Sequence, residues 1–249
     1  MNNNASKGKT ILVVDDDNTL RDAIVFDFKR RGFHVLSAPN GTEAFTIVKN
    51  ERVDAVVTDV RMPNGTGIEL LDNIKTFNLH TPVVIFITGF TDLALEDAYD
   101  KGASVVLSKP FDRKALIANV ERVLMGLTER LSIEPKAAAD TLKIDLAFSN
   151  RGDAVQAKAL RFGQGGMCLH TQERLIGINQ PVSFKIEAPG HQIPLLSGHG
   201  IVRWVREVAE GPSQRNLGIE FMFLEESCRK NVVELLQSLS IKAFIPKST

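Results

Sequence analysis

The chain is poor in cysteine and carries no net charge. Its 249 residues include two cysteines, Cys168 and Cys228, which form no CxxC pair, so the sequence indicates neither a disulfide framework nor a zinc site. Thirty basic residues balance thirty acidic ones, which argues against a general nucleic-acid or membrane binder. A helix-turn-helix pattern and a basic stripe are also missing, so we expect no DNA partner.

Long apolar runs are absent as well. No stretch approaches the roughly eighteen consecutive apolar residues of a membrane-spanning helix, and the polar N-terminus lacks the apolar centre of a signal peptide. We therefore expect a cytoplasmic protein without membrane insertion. With 43% apolar and 24% charged residues the composition is ordinary for a soluble protein, and the length allows two domains with separate cores.

What the sequence does contain is a set of short apolar strands that end on polar residues. Residues 54–63 combine a valine-rich run with Asp59 and a proline-glycine loop through Gly67, which predicts a buried parallel strand ending at a carboxylate. Three other predicted strands end on Asp15, Asp16 and Asp17, on Thr88 and Gly89, and on Lys109. Because the carboxyl ends of parallel strands meet at one edge of a sheet, we expect these groups to converge.

Such a group suits a specific chemistry. Clustered carboxylates repel one another without a cation, and a set of oxygen ligands favours Mg²⁺. A metal beside Asp59 would neutralise an incoming phosphoryl group that Asp59 attacks, while Lys109 and Thr88 hold its remaining oxygens. The product would be an aspartyl phosphate. Taken alone, Asp59 would fit a turn aspartate, and Asp17 or Asn18 fits the N-cap of the next helix.

Together these motifs resemble the receiver domain of two-component response regulators, over about residues 9–131. The resemblance rests on the acid pair after the first strand, Asp59 before Met62-Pro63, Thr88-Gly89, and Lys109-Pro110-Phe111. It implies that Asp59 is the phosphoacceptor. It also implies a sensor histidine kinase or a phosphotransfer protein as the partner that supplies the phosphoryl group.

The same resemblance assigns roles to the remaining site residues. It implies that Mg²⁺ is held by Asp15, Asp16, Asp59 and the backbone carbonyl of Arg61. Thr88 with Gly89 would form the switch, and Lys109 would pair with the phosphoryl group. Receivers commonly carry Tyr or Phe two residues before the position of Ser108, and this chain has Val106 there. Signalling by an aromatic rotamer is therefore in question, which leaves Thr88 to move and pull its loop.

The hydrophobic periodicity of the chain changes near residue 140. Strands and helices alternate over residues 9–131, which predicts a doubly wound α/β domain with a five-stranded parallel, flavodoxin-like sheet. We expect residues 1–8 to be disordered and residues 132–140 to be a linker. Residues 141–242 alternate with period two before a final helix, which predicts an antiparallel six-stranded barrel with a C-terminal helix.

The predicted strands of this second domain are 142–148, 154–162, 167–171, 182–186, 201–205 and 217–223, and the helix runs from Glu225 to about Ile241. Residues 243–249 are predicted to form a tail. The order of strands and helix, with the stretches 200–205 and 217–221, is similar to a PilZ domain. PilZ domains are receptors for cyclic di-GMP, so the resemblance implies a nucleotide site.

The nucleotide motifs of that family are degenerate in this chain. The family pattern combines RxxxR with [D/N]xSxxG, and the second pattern aligns on residues 161–166. Gly166 matches, but Arg161 replaces the acid or amide and Gly163 replaces the serine. No RxxxR lies between Lys136 and Arg161. Because two phosphates and two guanines need paired guanidinium forks and base-edge acceptors, we expect weak or absent cyclic di-GMP binding.

Two functional hypotheses remain open for the second domain. The first gives it output by binding another protein once Asp59 is phosphorylated. The alternative keeps it as a cyclic di-GMP receptor gated by phosphorylation, with Arg151, Lys158 and Arg161 as replacement ligands.

The sequence also bears on enzymatic activity and on oligomeric state. A phosphatase usually needs a second acid two residues after its aspartate, and that position is Arg61, so we expect no enzyme beyond self-dephosphorylation. The last two elements of the receiver carry Arg113, Lys114 and Arg122 and could support a homodimer.

Overall fold

The chain folds into two compact units, Met1–Met125 and Gly126–Thr249. The computed structural model describes residues 8–89, 93–136, 138, 140–148, 160–171, 176–190, 192–207 and 215–247. Residues 1–7 of the predicted disordered N-terminus lie outside these ranges. Among the described residues, no helix has both the length and the apolar character needed to cross a membrane.

The first unit is a parallel sheet with helices on both faces. Its elements are β1 Thr10–Val14, α1 Asn18–Arg30, β2 His34–Ala38, α2 Gly41–Asn50, β3 Ala55–Asp59, α3 Gly67–Phe77, β4 Val83–Thr88, α4 Leu95–Lys101, β5 Ala103–Ser108 and α5 Arg113–Leu124. The strand order is β2-β1-β3-β4-β5, and all four pairings are parallel. The predicted five-stranded, doubly wound sheet is confirmed.

Both faces of this sheet are buried in apolar clusters. Val56 and Phe86 face the cluster formed with α2 and α3, whereas Val57 and Ile85 face the cluster formed with α1 and α5. This two-sided burial explains why the strands are continuous apolar runs in the sequence. Tyr99 on α4, the only tyrosine of the chain, is fully buried in this unit.

The helix ends in the first unit follow local capping chemistry. The Asp17 carboxylate accepts hydrogen bonds from the N–H groups of Thr19 and Leu20, so Asp17 is the N-cap of α1. Helix α5 ends at Leu124, because Met125 takes up an extended conformation. The last helix of the first unit therefore does not continue to Leu127, which begins a separate short helix.

Within its described residues, the second unit contains one mixed sheet and two helices. Its elements are α6 Leu127–Arg130, β6 Leu142–Ala147, β7 Leu160–Phe162, β8 Gly166–Thr171, β9 Pro181–Glu187, β10 Leu195–Glu207, β11 Arg215–Leu224 and α7 Glu226–Ser238. Of the predicted strand 154–162, residues 154–159 lie outside the described residues. Helix α7 ends three residues before the predicted end at Ile241.

The prediction of purely antiparallel pairing in this unit was wrong for one pair. The strand order is β6-β9-β10-β11-β8-β7, with β6 and β7 at its two edges, and β6 pairs with β9 in parallel. The other four pairings are antiparallel. Antiparallel pairing was inferred from short connections, but β9 is the third strand after β6, so their connection is long enough for either direction.

One apolar cluster holds the second unit together. It joins the inner face of the sheet to α7 through Val232 and Leu236, with Leu235 and Leu239 packed at its border. Leu131 is also fully buried in this cluster, and its carbonyl accepts the N–H of Leu224 at 3.0 Å. Residues 126–131 therefore pack with the second unit, which places the division six residues before the predicted receiver boundary at 131.

The last described residues are packed against the sheet as well. Residues 243–246 are buried, whereas the sequence predicted a tail there. We call residues 241–247 the C-terminal segment. The buried part of the segment is Ala243-Phe244-Ile245 followed by Pro246. So short an apolar run shows no helical or strand periodicity, which is why the sequence did not predict its burial.

The only tryptophan, Trp204, is 2% exposed and lies directly over Gly218, where a Cβ would collide with the indole.

Candidate functional site

Asp59 ends the central strand of the first sheet, between β1 and β4. Its backbone carbonyl accepts the hydroxyl of Thr58 at 2.8 Å. Gly67 closes the following loop by donating its N–H to the Val60 carbonyl at 3.0 Å. A Cβ at Gly67 would collide with the Asp59 carbonyl, so the loop requires glycine there. The side chain of Asp59 is thus fixed at the edge of the sheet where the C-terminal ends of the strands meet. Asp59 is 9% exposed.

Three carboxylates meet at this edge. One oxygen each of Asp15, Asp16 and Asp59 lies within 4.8 Å of the others. Asp15 is 2% exposed, and its Oδ1 accepts the N–H of Asp17 at 2.9 Å, whereas Asp16 is exposed. An all-oxygen donor set of this kind fits a hard divalent cation such as Mg²⁺, the metal that receiver domains generally use at an acidic pocket.

Lys109 connects two of these carboxylates. Its Nζ lies 2.5 Å from Oδ2 of Asp59 and 3.4 Å from Oδ2 of Asp15. The strand β5 delivers it, and its backbone N–H donates to the Thr88 carbonyl at 2.8 Å. Burial lowers the pKa of Lys109, but the hydrogen bond to Asp59 and the charges of both carboxylates outweigh burial and raise the pKa above its ordinary value. The ammonium therefore stays protonated.

For Asp15, burial has the larger effect on the pKa. Burial raises the pKa of this carboxyl, and the hydrogen bond from Asp17 and the charge of Lys109 offset only part of that increase. The nearby charge of Asp59 raises the pKa of Asp15 further. A cation beside these oxygens would lower the cost of ionising Asp15, which is a second reason why the residues fit a metal.

The structure places the other predicted site residues around this cluster. Thr88 is buried at the end of β4, and its hydroxyl donates to the Gly89 carbonyl at 3.1 Å. The Arg61 N–H donates to Oδ1 of Asp59 at 3.2 Å. Val106 is half-buried on β5 beside Phe86 of β4 and packs on the α2–α3 side. Residues 90–92, which follow the switch, lie outside the described residues.

Sequence reasoning missed one residue that touches the cluster. The Arg21 guanidinium donates to the backbone carbonyl of Asp15 at 2.5 Å and also binds the side chain of Asn18. It holds the acidic turn against the first turn of α1. The sequence feature that could have indicated Arg21 is a basic residue one turn into the helix that follows the acidic cluster. Exposed basic residues are common on helices, so this feature alone did not predict the contact.

The degenerate nucleotide motif lies in the second unit. Its three named residues all lie beside the C-terminal segment. The Arg161 guanidinium donates to the Lys247 carbonyl at 2.7 Å, and a Cβ at Gly163 would lie 2.5 Å from the Phe244 carbonyl. A Cβ at Gly166 would collide with the Ile219 carbonyl. Arg151 and Lys158, the other candidate ligands, lie outside the described residues.

Comparisons with known proteins cover the first unit. The family model of the response regulator receiver domain matches residues 11–121. The chain is 36% identical over 115 residues to the transcriptional regulatory protein CrdR of Helicobacter pylori, which covers 46% of this chain and 54% of CrdR. It is 33% identical over 119 residues to the DNA-binding transcriptional regulator NtrC of Azospirillum brasilense. The chain thus spans about half of CrdR and a quarter of NtrC.

Smaller proteins match over nearly their whole length. The receiver domain protein solved from Clostridium thermocellum is 33% identical, with 47% of this chain and 94% of that chain covered and a TM-score of 0.44. The response regulator receiver protein CpdR of Brucella abortus is 34% identical over 119 residues, which covers 47% of this chain and 98% of CpdR. With that coverage and the family match, the chain belongs to the response regulator receiver family.

Proposed function

We propose that this chain is a bacterial two-component response regulator that is phosphorylated on Asp59. The observation that carries the proposal is the contact of Lys109 Nζ with both Asp59 and Asp15, within a cluster of three carboxylates. A sensor histidine kinase or phosphotransfer protein supplies the phosphoryl group. The second unit, which we propose to be PilZ-like, then gives the output by binding another protein.

The chain's own residues have clear tasks in this reaction. A carboxylate oxygen of Asp59 attacks the phosphorus, an O–P bond forms and the N–P bond of the phosphohistidine donor breaks. Lys109 exchanges its contact with Asp59 for one with a phosphoryl oxygen. Mg²⁺, held by Asp15, Asp16, Asp59 and the Arg61 carbonyl, would neutralise the charge of the phosphoryl group. Self-dephosphorylation by water is the only other reaction we assign.

The switch follows from the new charge. Thr88 donates to its neighbour's carbonyl in the present state, and its hydroxyl can turn to donate to a phosphoryl oxygen instead. That rotation changes the path of the loop after β4. Phosphorylation therefore shifts the population between two receiver states. Val106 is small enough to allow this movement without rotation of an aromatic ring.

A nucleotide-driven output has less support. The positions that align with the PilZ nucleotide motif, including Gly163, lie against the C-terminal segment, and Arg161 donates to Lys247. A bulky dinucleotide would have to displace that segment. We therefore propose protein-protein output in the cytoplasm, with neither DNA nor membrane binding.

Phosphoryl labelling tests the proposal. The full chain is incubated with Mg²⁺ and radiolabelled acetyl phosphate, and Asp59→Asn is expected to abolish the label. Asp17→Asn is the matched control, because asparagine keeps the N-cap role of Asp17 beside the same acidic turn and should keep the label. Labelling of Asp59→Asn equal to the wild type would refute the assignment.

A calorimetric titration of cyclic di-GMP into the full chain tests the output. We expect no measurable heat with or without beryllofluoride as phosphoryl mimic. Micromolar or tighter binding would instead favour the receptor alternative.

A further inference from the structure

The C-terminal segment lies on the second unit without forming a helix or a strand, and its backbone bends at Phe244 and Ile245. It contacts the β7–β8 turn, residues 163–165, through its carbonyl oxygens. The pairs are the Gln164 N–H with Ala243 and the Gly165 N–H with Phe244, both at 2.9 Å, the Gln164 side chain with Ile241 at 2.6 Å, and the Arg161 side chain with Lys247 at 2.7 Å. Main-chain hydrogen bonds of this kind also give affinity in sites that bind peptides.

The same surface offers a fitted place for one aromatic ring. A Cβ at Gly165 would collide with the ring of Phe244, so glycine leaves the room that the ring fills. The Arg130 guanidinium lies over the ring, 5.8 Å from its centroid. Beside it, Ile245 packs on Gly166, where a Cβ would lie 3.0 Å from Cγ1 of the isoleucine. This surface thus accommodates an aromatic residue followed by a β-branched one.

The central part of the segment is buried, but it is not part of the described apolar cluster of the second unit. Residues 243–246 are buried, yet the described apolar cluster between the sheet and α7 contains none of them. Ile241 and Lys242, the first two residues of the segment, are exposed. Release of the segment would therefore expose Phe244 and Ile245, whereas the members of that cluster would keep their contacts with one another.

We propose that the β7–β8 turn, with Arg130 and Arg161, is a peptide-binding site that the chain fills with its own C-terminal segment. The occupant in trans is a segment of a partner protein with the same chemistry, an aromatic residue, a β-branched residue and proline in succession. This inference rests on the proposed function, because it names the partner class of the output unit. A tethered segment competes at an effective concentration of about millimolar, so its release controls access to the site.

Fluorescence polarisation with a labelled peptide tests the inference. The probe is the heptapeptide Ile-Lys-Ala-Phe-Ile-Pro-Lys, which copies residues 241–247. A chain that ends at Ser240 is expected to bind it at least about tenfold more tightly than the full chain, because the tethered competitor is gone. Replacing Phe by Ala in the probe should weaken binding by about tenfold or more.

Two glycine variants of the shortened chain locate the site. Gly165→Ala is expected to abolish binding of the probe, because the added Cβ takes the space of the ring. Gly177→Ala is the matched control in the same unit, since a Cβ there meets no atom within 4 Å, and it should bind normally. Equal binding by both variants would overturn the assignment of the site.

A second variant covers loss of folding in the shortened chain. If that chain lacks a cooperative unfolding transition, the full chain with Phe244→Ala replaces it, and we expect it to bind the probe more tightly than the wild type. A folded variant that does not bind the probe refutes the inference, because the segment is then a permanent part of the fold. Neither readout needs phosphorylation, so failure here is distinct from failure to label Asp59.

Discussion

At the level of single residues, buried charge has different consequences at two places in the first unit. Lys109 is held between carboxylates, which keep its ammonium charged. Lys75 on α3 is 4% exposed, and its Nζ donates to the carbonyl of Leu79 at 3.0 Å. Burial lowers the pKa of Lys75 from 10.5 to about 8. One lysine serves the site, whereas the other lowers stability at neutral pH.

Replacing Lys75 by Met should change how stability depends on pH. The unfolded chain holds the Lys75 proton more tightly than the folded chain, so wild-type stability is lowest below about pH 8 and rises between pH 8 and 10.5. Lys75→Met should lack this rise, which amounts to about 3 kcal/mol at most. Urea denaturation across this range measures it. Lys114→Met, at an exposed lysine, should keep the wild-type slope, and an unchanged slope in Lys75→Met would contradict the assignment.

Removing the charge of Lys109 should increase the effect of Mg²⁺ on stability. In Lys109→Met no ammonium offsets the repulsion between the carboxylates of Asp15 and Asp59. A bound cation therefore removes more electrostatic repulsion than in the wild type and stabilises the folded state more. We expect a larger rise of Tm on adding Mg²⁺, reversed by EDTA. Lys101→Met, which loses only a pair with Asp72 on another part of the surface, is the control. Equal Mg²⁺ shifts in the Lys109 and Lys101 variants would argue against a metal at the acidic cluster.

At the level of elements, the loop between β3 and α3 joins the site to a well-capped helix. The Thr66 hydroxyl accepts the Glu69 N–H at 3.2 Å, and the Glu69 carboxylate accepts the Thr66 N–H at 2.8 Å, which completes a capping box. Gly65 precedes this box with φ at +111°, a conformation that favours glycine. The loop that leaves Asp59 is therefore fixed at both ends.

Thr66→Ala should destabilise the receiver unit by about 1 kcal/mol, because it removes the acceptor of the capping box. Thr46→Ala on α2 is the control: its exposed hydroxyl donates only to the Thr42 carbonyl of the same helix, and its loss should change stability by less than about 0.5 kcal/mol. Urea denaturation of the two variants measures the difference. Equal losses would show that the capping box contributes nothing beyond an ordinary surface hydroxyl.

The elements of the first unit were easier to predict than those of the second, for a physical reason. Strands such as β3 are buried on both faces and end on charged residues, so Asp59 and Lys109 could be placed from local pattern alone. The pairing of β6 with β9 depends on contacts between residues far apart in sequence, which local periodicity does not report. Burial of Phe244 depends on Gly165, about eighty positions earlier, and a tail and a packed segment look alike in the sequence.

At the level of the whole molecule, each unit has its own apolar core. The two clusters of the parallel sheet contain only residues before 125, and the cluster of the second unit contains only residues after 126. The backbone passes from α5 to α6 through Met125 and Gly126. A Cβ at Gly126 would meet no atom within 4 Å.

A chain that ends at Met125 should therefore fold and accept a phosphoryl group on its own. All residues of the acidic cluster and both flanking apolar clusters are retained, so we expect cooperative unfolding and acetyl phosphate labelling at a rate within about twofold of the full chain. Calorimetry and the labelling assay measure these. A shortened chain that unfolds without cooperativity would show that the receiver needs the second unit for stability.

Tyr99 and Trp204 are two intrinsic optical probes that lie in different units. The chain has one tyrosine, buried in the first unit, and one tryptophan, buried in the second. Excitation at the red edge of the indole band therefore follows the second unit alone, without labels or substitutions. The phenol absorbance, once the indole contribution is subtracted, follows the receiver. Signal changes on unfolding, on adding a phosphoryl donor or on adding the peptide probe can thus be assigned to one unit or the other in a single unmodified sample.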